Sequence, residues 1–595
     1  MMLPRTEAMG SVLTVAVLLM LSCRCDGQAR VRVNGATVTG QQTTVSQTTL
    51  WKFLGIRYAQ APSGLQRFQR PTAVTMNDQV DATRYGARCP TAPLQGDMSE
   101  DCLFLNVFVP RLRATGQRLP VFVWIHGGGF VTGSANNVEA DVLAAEGGII
   151  VVTFNYRLGP LGFLATGDNT ALGNYGLWDQ RMALRWVRNY ISFFGGDTSR
   201  VTLGGMSAGA ASASMLSLSP RSRDLFQRVI QLSGSALSPW ARVSHSYALD
   251  AAKRLATKVG CLTPGISMAT STMVGCLRNT QLSKLISASS GLWNDTASAL
   301  LEYVWVPVTD GDIAMDVTSA EPFQGPLLAG LVNNEGGLLE KVGVRRVSSV
   351  FPDVQTLLTD RDFYREKLLP AMIRQSHDGD VSPQAVEVVE CAYGSDRSGD
   401  VGKEEVVGAF GDQAFVYTAL EYLNHFSNYQ PSYLYYMDHQ PDRPGIEGVR
   451  HGDDQAYLFA FMPSVSEMYN FPPNVSKADR QLSRDLRHLV VNFVKTGDPN
   501  KPNRPQSWPL WPLYTPKQGN YMVMSSSPRV ASHLREDYMG LWLDDIPSLL
   551  TSHNVSDTWS HCLTSSAGGR PGVSMAVSSI WGLALLCFLV KMAAQ

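Results

Sequence analysis

The stretch Leu203-Gly204-Gly205-Met206-Ser207-Ala208-Gly209-Ala210 decides the fold. It follows a short apolar run, typical of a buried strand, and it precedes a run of small residues that favours a helix. A Gly-x-Ser-x-Gly motif in this setting predicts a sharp strand-to-helix turn that exposes the hydroxyl of Ser207 above a sheet. Gly205 and Gly209 suit such a turn because a Cβ at either position would crowd it. The N-terminus of the following helix favours negative charge at the same place.

Further apolar runs on both sides of this motif predict an α/β fold. They lie at 31–39, 49–59, 103–109, 119–125, 149–155, 201–203, 229–232, 327–332 and 433–436. Helical spacing over Gly176–Tyr190 indicates that helices alternate with the strands. This alternation predicts a large, mostly parallel central sheet with helices on both faces. The long insertions Ser244–Leu301 and Val350–His425 are expected to wall a site above the carboxyl ends of the strands.

The two ends of the chain differ from its body in composition. The apolar run Val12–Leu21 follows Arg5 and predicts a signal peptide over residues 1–27, with cleavage between Cys23 and Gln28. The main domain is then expected over 28–547, followed by a polar stalk over 548–572 and an apolar tail over 573–595. The formal net charge of −1 over 595 residues gives no basic face for nucleic acid.

The apolar tail predicts attachment at the extracellular face of the membrane. Small residues at Ser565–Gly569 precede the tail, an order typical of a GPI-anchor signal. The alternative is a single membrane-spanning helix, because the tail just reaches the necessary length and Lys591 follows it.

Cysteines and glycosylation sequons agree with secretion. Of the nine cysteines, Cys89 with Cys102 and Cys261 with Cys276 form the natural short loops, and each closure is worth roughly 3 kcal/mol in the chain-entropy model. Cys391 and Cys562 stay unassigned, although the place of Cys562 beside the stalk suggests a disulfide-linked homodimer. Acceptor sequons lie at Asn294, Asn474 and Asn554.

A serine nucleophile needs a base and a third group that orients the base. Glu335 follows the apolar run 327–332, and His451 follows the run 433–436. Both therefore lie on loops beyond strand ends, in the order Ser, acid, His. We predict that Ser207, Glu335 and His451 form a catalytic triad.

A glycine-rich loop supplies the remaining part of such a site. His126-Gly127-Gly128-Gly129-Phe130 follows the apolar run 119–125. Its glycines allow backbone N–H groups to face a ligand without obstruction by side chains. Gly128 and Gly129 are expected to form an oxyanion hole together with the N–H of Ala208.

With these motifs the chain resembles the type-B carboxylesterases of the cholinesterase family. The matching stretches, in family order, are 53–56, 99–107, 126–130, 155–159, 173–180, 194–197, 496–500 and 511–514. The resemblance implies an α/β-hydrolase fold and a serine carboxylesterase that acts on a small-molecule ester through an acyl-enzyme, with no metal or cofactor. It places Trp240 in the acyl pocket with Tyr303 and Trp305 near it, and both short-loop cysteine pairs match disulfides of the family.

Three departures from the family pattern argue against choline as the preferred alcohol. Met206 stands where the family has Glu before the nucleophile. The loop Pro90–Asp101 has no aromatic residue for a cation–π contact, and Leu338, in the substrate pocket, replaces an aromatic residue. A general carboxylesterase is therefore the leading hypothesis. A true cholinesterase and a neuroligin-like adhesion protein are the alternatives, and the presence of Ser207 argues against the second.

Overall fold

The computed structural model describes residues 27–76, 78–111, 117–292, 296–339, 356, 358–377, 380–394, 401–443, 445–551 and 555–564. The predicted signal peptide up to residue 26 lies outside these residues, as do the sequons Asn294 and Asn554 and the apolar tail. Among the described helices, none combines the length and the apolar composition needed to cross a bilayer.

Thirteen strands of the described chain form one mixed sheet, which confirms the predicted α/β class. They are β1 Gln28–Val33, β2 Ala36–Val45, β3 Thr48–Arg57, β4 Val80–Asp81, β5 Phe104–Arg111, β6 Leu119–Ile125, β7 Ile150–Phe154, β8 Gly196–Met206, β9 Arg228–Leu232, β10 Leu327–Val332, β11 Ser432–Met437, β12 Asn520–Met524 and β13 Arg529–Ser532. Their order is β1-β2-β3-β5-β7-β6-β8-β9-β10-β11-β12-β13, with β4 beside β2. Pairing is parallel from β7 through β12 and antiparallel along the main path toward both edges.

Helices cover both faces of the sheet. The α-helices are Asp141–Gly147, Gly159–Phe163, Tyr175–Tyr190, Ala208–Leu218, His245–Lys258, Thr270–Asn279, Leu282–Ala288, Thr296–Leu301, Arg361–Phe363, Leu369–Ser376, Pro383–Ala392, Lys403–Gly411, Tyr417–Phe426, Asp453–Leu458, Pro463–Tyr469, Lys477–Thr496, Glu536–Gly540, Ile546–Thr551 and Asp557–Thr564. Three π-helical segments continue the helices before them, at Tyr364–Leu368, Asp412–Val416 and Leu541–Asp545.

The alternation of side chains along β6 explains the two cores. Val121 and Val123 face one core with the fully buried, small-residue helix Ala208–Leu218. Phe122 faces the other core with the amphipathic helix Lys477–Thr496. Because successive side chains of a strand point to opposite faces, an all-apolar strand is buried on both sides.

The N-terminal run at 31–39 is not one strand, as predicted, but parts of the hairpin β1–β2. Asn34 and Gly35 form its two-residue turn with φ of 48° and 92°. Asn-Gly is the pair most suited to this turn, because both central residues need a positive φ.

The disulfides correct the prediction that Cys562 links two chains. The structure contains the predicted bonds Cys89–Cys102 and Cys261–Cys276, and it also joins Cys391 to Cys562 within the chain. A covalent dimer through Cys562 is therefore wrong, because its sulfur is already bonded.

The predicted stalk is also too long. The helix Asp557–Thr564, inside the predicted stalk, packs on the helix Pro383–Ala392, and the Cys562 side chain is fully buried. A Trp, a Cys and a Leu among the polar residues of this segment supply its apolar face. Residues 565–572 lie outside the described residues.

Candidate active site

The predicted turn at Ser207 forms between β8 and the helix Ala208–Leu218. Ser207 has φ 57° and ψ −123°, a backbone conformation that few non-glycine residues adopt. Its N–H donates to Leu232 O on β9 at 2.8 Å, which holds the turn in place. A Cβ on Gly205 would lie 2.3 Å from the Gly209 carbonyl carbon, so the turn needs glycine at this close approach.

The topology of the sheet brings the three predicted triad residues to one edge. Ser207, Glu335 and His451 follow β8, β10 and β11, which belong to the parallel part of the sheet. A parallel bridge between Asn334 and Arg450 joins the last two loops. Glu335 and His451 are therefore neighbours, although 116 positions separate them in sequence.

A buried hydrogen bond connects the predicted base and acid. His451 Nδ1 lies 2.7 Å from Glu335 Oε2, and the two residues are only 8% and 3% exposed. Glu335 Oε1 accepts from Ser233 Oγ at 2.6 Å and from Val332 N at 3.1 Å. The carboxylate is thus held by three donors, and it orients the imidazole with Nδ1 as a donor.

The second nitrogen of the imidazole is available for proton transfer. His451 Nε2 is buried and has no hydrogen-bond partner among the residues that the structure describes. His451 and Ser207 line the same cavity, which has a volume of about 670 Å³. A substrate in this cavity would therefore meet both groups.

The glycine loop lies against the serine turn. A Cβ on Gly127 would come within 3.1 Å of the Ser207 Cβ. The N–H groups of Gly128, Gly129 and Ala208 donate to no acceptor within the described ranges. Three backbone donors without a protein partner beside a serine hydroxyl are suited to an oxyanion.

The first residue of that loop is a buried neutral histidine. Burial lowers the pKa of His126 to about 4, although its hydrogen bond to Gly127 O favours the charged form. Its ring stacks on Tyr156 at 4.5 Å, and Tyr156 donates its hydroxyl proton to His126 O at 3.0 Å. His126 thus fixes the strand end from which the glycine loop starts.

A buried ion pair holds the loop that carries His451. Asp453 pairs with Arg443, whose Nη1 lies 3.1 Å from Oδ1 and whose Nη2 contacts Oδ2. Asp453 Oδ2 also accepts from Arg450 N at 2.7 Å. Both side chains of the pair are at most 2% exposed. The position of the imidazole therefore depends on this pair.

A second buried carboxylate lies beside the predicted triad. Burial raises the pKa of Asp454 to about 7, a hydrogen bond from Tyr435 opposes this shift, and the charge of Glu335 adds to it. Tyr435 donates to Asp454 Oδ2 at 2.7 Å. Met206, which departs from the family pattern, is buried and lines the cavity that His451 and Ser207 share.

The predicted pocket residues surround two cavities that meet at Ser207. Trp240 lines a small pocket of about 20 Å³, whereas Trp305 lines the large cavity and is absent from the small one. Tyr303 and Leu338 line both cavities. The resemblance places Trp305 near the acyl pocket; in the structure its indole donates to Ser289 O at 3.0 Å, and the residue lines the large cavity.

Sequence reasoning missed several residues of this site. Ser233, Arg443 and the Asp453–Asp454 pair carried no recognisable signal, because acidic residues after a histidine are usually solvated. Phe410 and Phe415 line the small pocket from the insertion Val350–His425. The sequence predicted only that this insertion walls the site, and it did not single out either phenylalanine.

Together, the central parallel strands, the serine turn and the paired His and Glu are the arrangement of the α/β-hydrolase fold. The carboxylesterase family matches residues 27–542, and the chain belongs to that family.

Curated relatives include two kinds of protein. Bile salt-activated lipase of Bos taurus is 34% identical over 525 residues, 84% of each chain. The same lipase of Rattus norvegicus is 34% identical over 531 residues, 84% of this chain and 83% of the lipase. Neuroligin-3 of Mus musculus is 32% identical over 565 residues, 85% of this chain and 67% of the neuroligin. Family membership supports an esterase-type hydrolase.

Proposed function

We propose that the protein is a serine carboxylesterase, with Ser207 as nucleophile, His451 as general base and Glu335 as the group that orients the base. One observation carries the proposal. The buried 2.7 Å contact between His451 Nδ1 and Glu335 Oε2 leaves Nε2 without a partner in the described part of the chain, in a cavity that Ser207 also lines. A histidine held in this way is arranged to accept a proton rather than to stabilise the fold.

The reaction would proceed in two halves. Ser207 Oγ attacks the ester carbonyl while His451 Nε2 takes its proton, and Gly128, Gly129 and Ala208 donate to the oxyanion. The alkoxide leaves with the proton from Nε2, and the acyl group remains on Ser207. Water, activated by His451, then attacks the acyl-enzyme and releases the acid.

The substrates would be neutral carboxylic esters rather than choline esters. Met206 and Leu338 line the large cavity where family members carry a carboxylate and an aromatic residue. The loop Pro90–Asp101 also lacks the aromatic residue that binds a quaternary ammonium. Since a cation–π contact is worth roughly 0.5–2 kcal/mol, its loss removes up to about 30-fold of preference. Comparing kcat/KM for acetylcholine and for its uncharged isostere 3,3-dimethylbutyl acetate tests this.

An adhesion protein without catalysis is the second candidate, because neuroligins match the chain nearly as well as the lipases do. The arrangement around Ser207 and His451 favours the esterase, since adhesion needs neither a nucleophile nor a base.

The Ser207→Ala variant separates these two functions. We expect kcat for 1-naphthyl acetate to fall by several orders of magnitude, because only the oxyanion donors and substrate binding remain. Ser217→Ala is the matched control, since Ser217 lies on the same helix and its hydroxyl bonds only within the core, where it donates to Ser214 O and lies 3.3 Å from the Tyr422 hydroxyl. Equal turnover by both variants would exclude Ser207 as the nucleophile.

We also propose that the mature protein is secreted and attached to the cell surface by a GPI anchor. The signal-like N-terminus, the disulfides and the tail after residue 572 support this. Asn474 is exposed and is proposed to carry a glycan. Phosphatidylinositol-specific phospholipase C should release active protein from intact cells. Retention of the protein, together with a C-terminal tag, would instead indicate a spanning helix.

A further inference from the structure

A buried glutamine lines the cavity that Ser207 and His451 share. Gln455 is only 2% exposed, and it lies in the wall of this cavity. Its main chain is held on both sides, because its N–H donates to Gly452 O at 3.0 Å and its carbonyl accepts from Phe459 N at 2.9 Å. The side chain therefore extends into the cavity wall from a fixed backbone.

The carboxamide of Gln455 makes no hydrogen bond within the ranges that the structure describes. Buried polar side chains are nearly always hydrogen-bonded, because an unsatisfied donor or acceptor costs about 1–3 kcal/mol. A glutamine that is enclosed by the fold but lines a cavity must therefore bond water or a ligand in that cavity.

The position of Gln455 is next to the loops that carry the reacting groups. A Cβ on Gly452 would lie 3.0 Å from Met206 Cε, so the residue after His451 is close to the residue before Ser207. Gln455 bonds to Gly452 through its N–H and is thus attached to the same point. A ligand that reaches both reacting groups therefore has the carboxamide within the same cavity.

The electrostatics of the cavity wall favour a neutral ligand group. Asp453 lines the cavity but binds Arg443, and Arg88 lines it but donates to Asp97 from Nε at 2.5 Å and from Nη2 at 2.7 Å. An ionic group of a ligand would have to compete with these pairs. A carboxamide donates through its NH₂ and accepts through its oxygen, and a hydroxyl group can use both.

We infer that Gln455 is a specificity-determining residue that binds a hydroxyl group on the alcohol part of the ester. The inference rests on the proposed esterase function, in which the departing alcohol takes its proton from His451 and so lies in the cavity that Gln455 lines. A site that hydrogen-bonds a substrate hydroxyl disfavours the analogue without it, because its own polar group is then left unpaired.

Matched pairs of acetates, measured on the full-length protein, test the inference. The pairs are 2-hydroxyethyl and propyl acetate, 3-hydroxypropyl and butyl acetate, and 4-hydroxybutyl and pentyl acetate, in which a hydroxyl group replaces a methyl group. The ratio of kcat/KM within a pair should be highest at one chain length, where the hydroxyl reaches the carboxamide. At that length Gln455→Met should lower the ratio roughly fivefold or more, the loss expected for one hydrogen bond.

Leu458→Met is the matched control, because Leu458 is fully buried on the same helix and lines neither cavity. It should leave the ratio unchanged. Gln455→Leu replaces Gln455→Met if that variant does not fold. A wild-type ratio that is the same at all three chain lengths, or an active Gln455 variant with the wild-type ratio, overturns the inference and leaves the proposed function in place. Failure to hydrolyse any ester overturns the proposed function with it.

Discussion

Replacing Glu335 by glutamine should abolish most activity and leave the fold intact. Glu335 Oε1 accepts from Ser233 Oγ and Val332 N, and a glutamine carbonyl can keep both of these bonds. Its amide must then face His451 Nδ1, at the position where Oε2 now lies 2.7 Å away. Since an amide NH₂ donates, it stabilises the tautomer with the proton on Nε2. That nitrogen can no longer accept the proton of Ser207.

The expected loss is about 10⁴-fold in kcat, the size found when an amide replaces the acid of a serine triad. At 1.36 kcal/mol per factor of ten, this is about 5 kcal/mol of transition-state stabilisation. The free energy of unfolding should change much less, by about 1 kcal/mol, because two of the three hydrogen bonds to this side chain remain.

The assay is kcat for 1-naphthyl acetate at saturating substrate, with urea unfolding measured on the same samples. Ser233→Ala is the matched control, because it removes one donor to Oε1 but keeps the carboxylate charge. About 1 kcal/mol, or fivefold in kcat, is expected from it. If Glu335→Gln is natively folded and retains more than a few per cent of kcat, Glu335 does not orient the base.

Three further predictions concern stability. The pKa of Asp454 is raised from 3.8 to about 7, so between these pH values the folded protein binds a proton that the unfolded chain has lost. The free energy of unfolding is therefore unaffected by this group below pH 4 and falls as pH rises to 7. Asp454→Asn should therefore gain up to about 4 kcal/mol relative to wild type between pH 4 and 8 in urea unfolding, and a pH-independent difference would contradict this. Arg443→Met leaves Asp453 buried without its partner and should destabilise the fold by about 3–5 kcal/mol, most of it recovered when Asp453→Leu is added. Cys562→Ser opens a loop of 171 residues and should cost roughly 5 kcal/mol. On non-reducing gels both wild type and the variant should run as monomers, with the variant slightly slower because its chain is less compact. A wild-type dimer band that disappears in the variant would instead show that Cys562 forms an intermolecular disulfide.

The strands and the serine turn could be predicted because their signals are local. The apolar run before Ser207 and the small residues after it lie within twenty positions, and β8 and the following helix form there. The hairpin at Asn34-Gly35 was missed although its signal is equally local, because the apolar pattern continued across the turn.

The triad prediction needed more than local pattern. Nothing near Glu335 or His451 distinguishes them from solvated loop residues, and only the chain order and the family resemblance singled them out. The bridge between Asn334 and Arg450 explains why the two loops meet. Ser233, which bonds to Glu335, and Arg443, which pairs with Asp453, could be identified only from the tertiary structure.

The sequence by itself determined most of the individual strands, the serine turn, the glycine loop and the two short disulfides, because each depends on residues close together in the chain. Only the tertiary structure decided the partner of Cys562, the burial of Asp454 and the size of the pocket beside Phe410. These features depend on distances between segments more than a hundred residues apart. Burial and cavity volume are set by how helices pack over the sheet, and a pattern of residue types along one chain does not contain those distances.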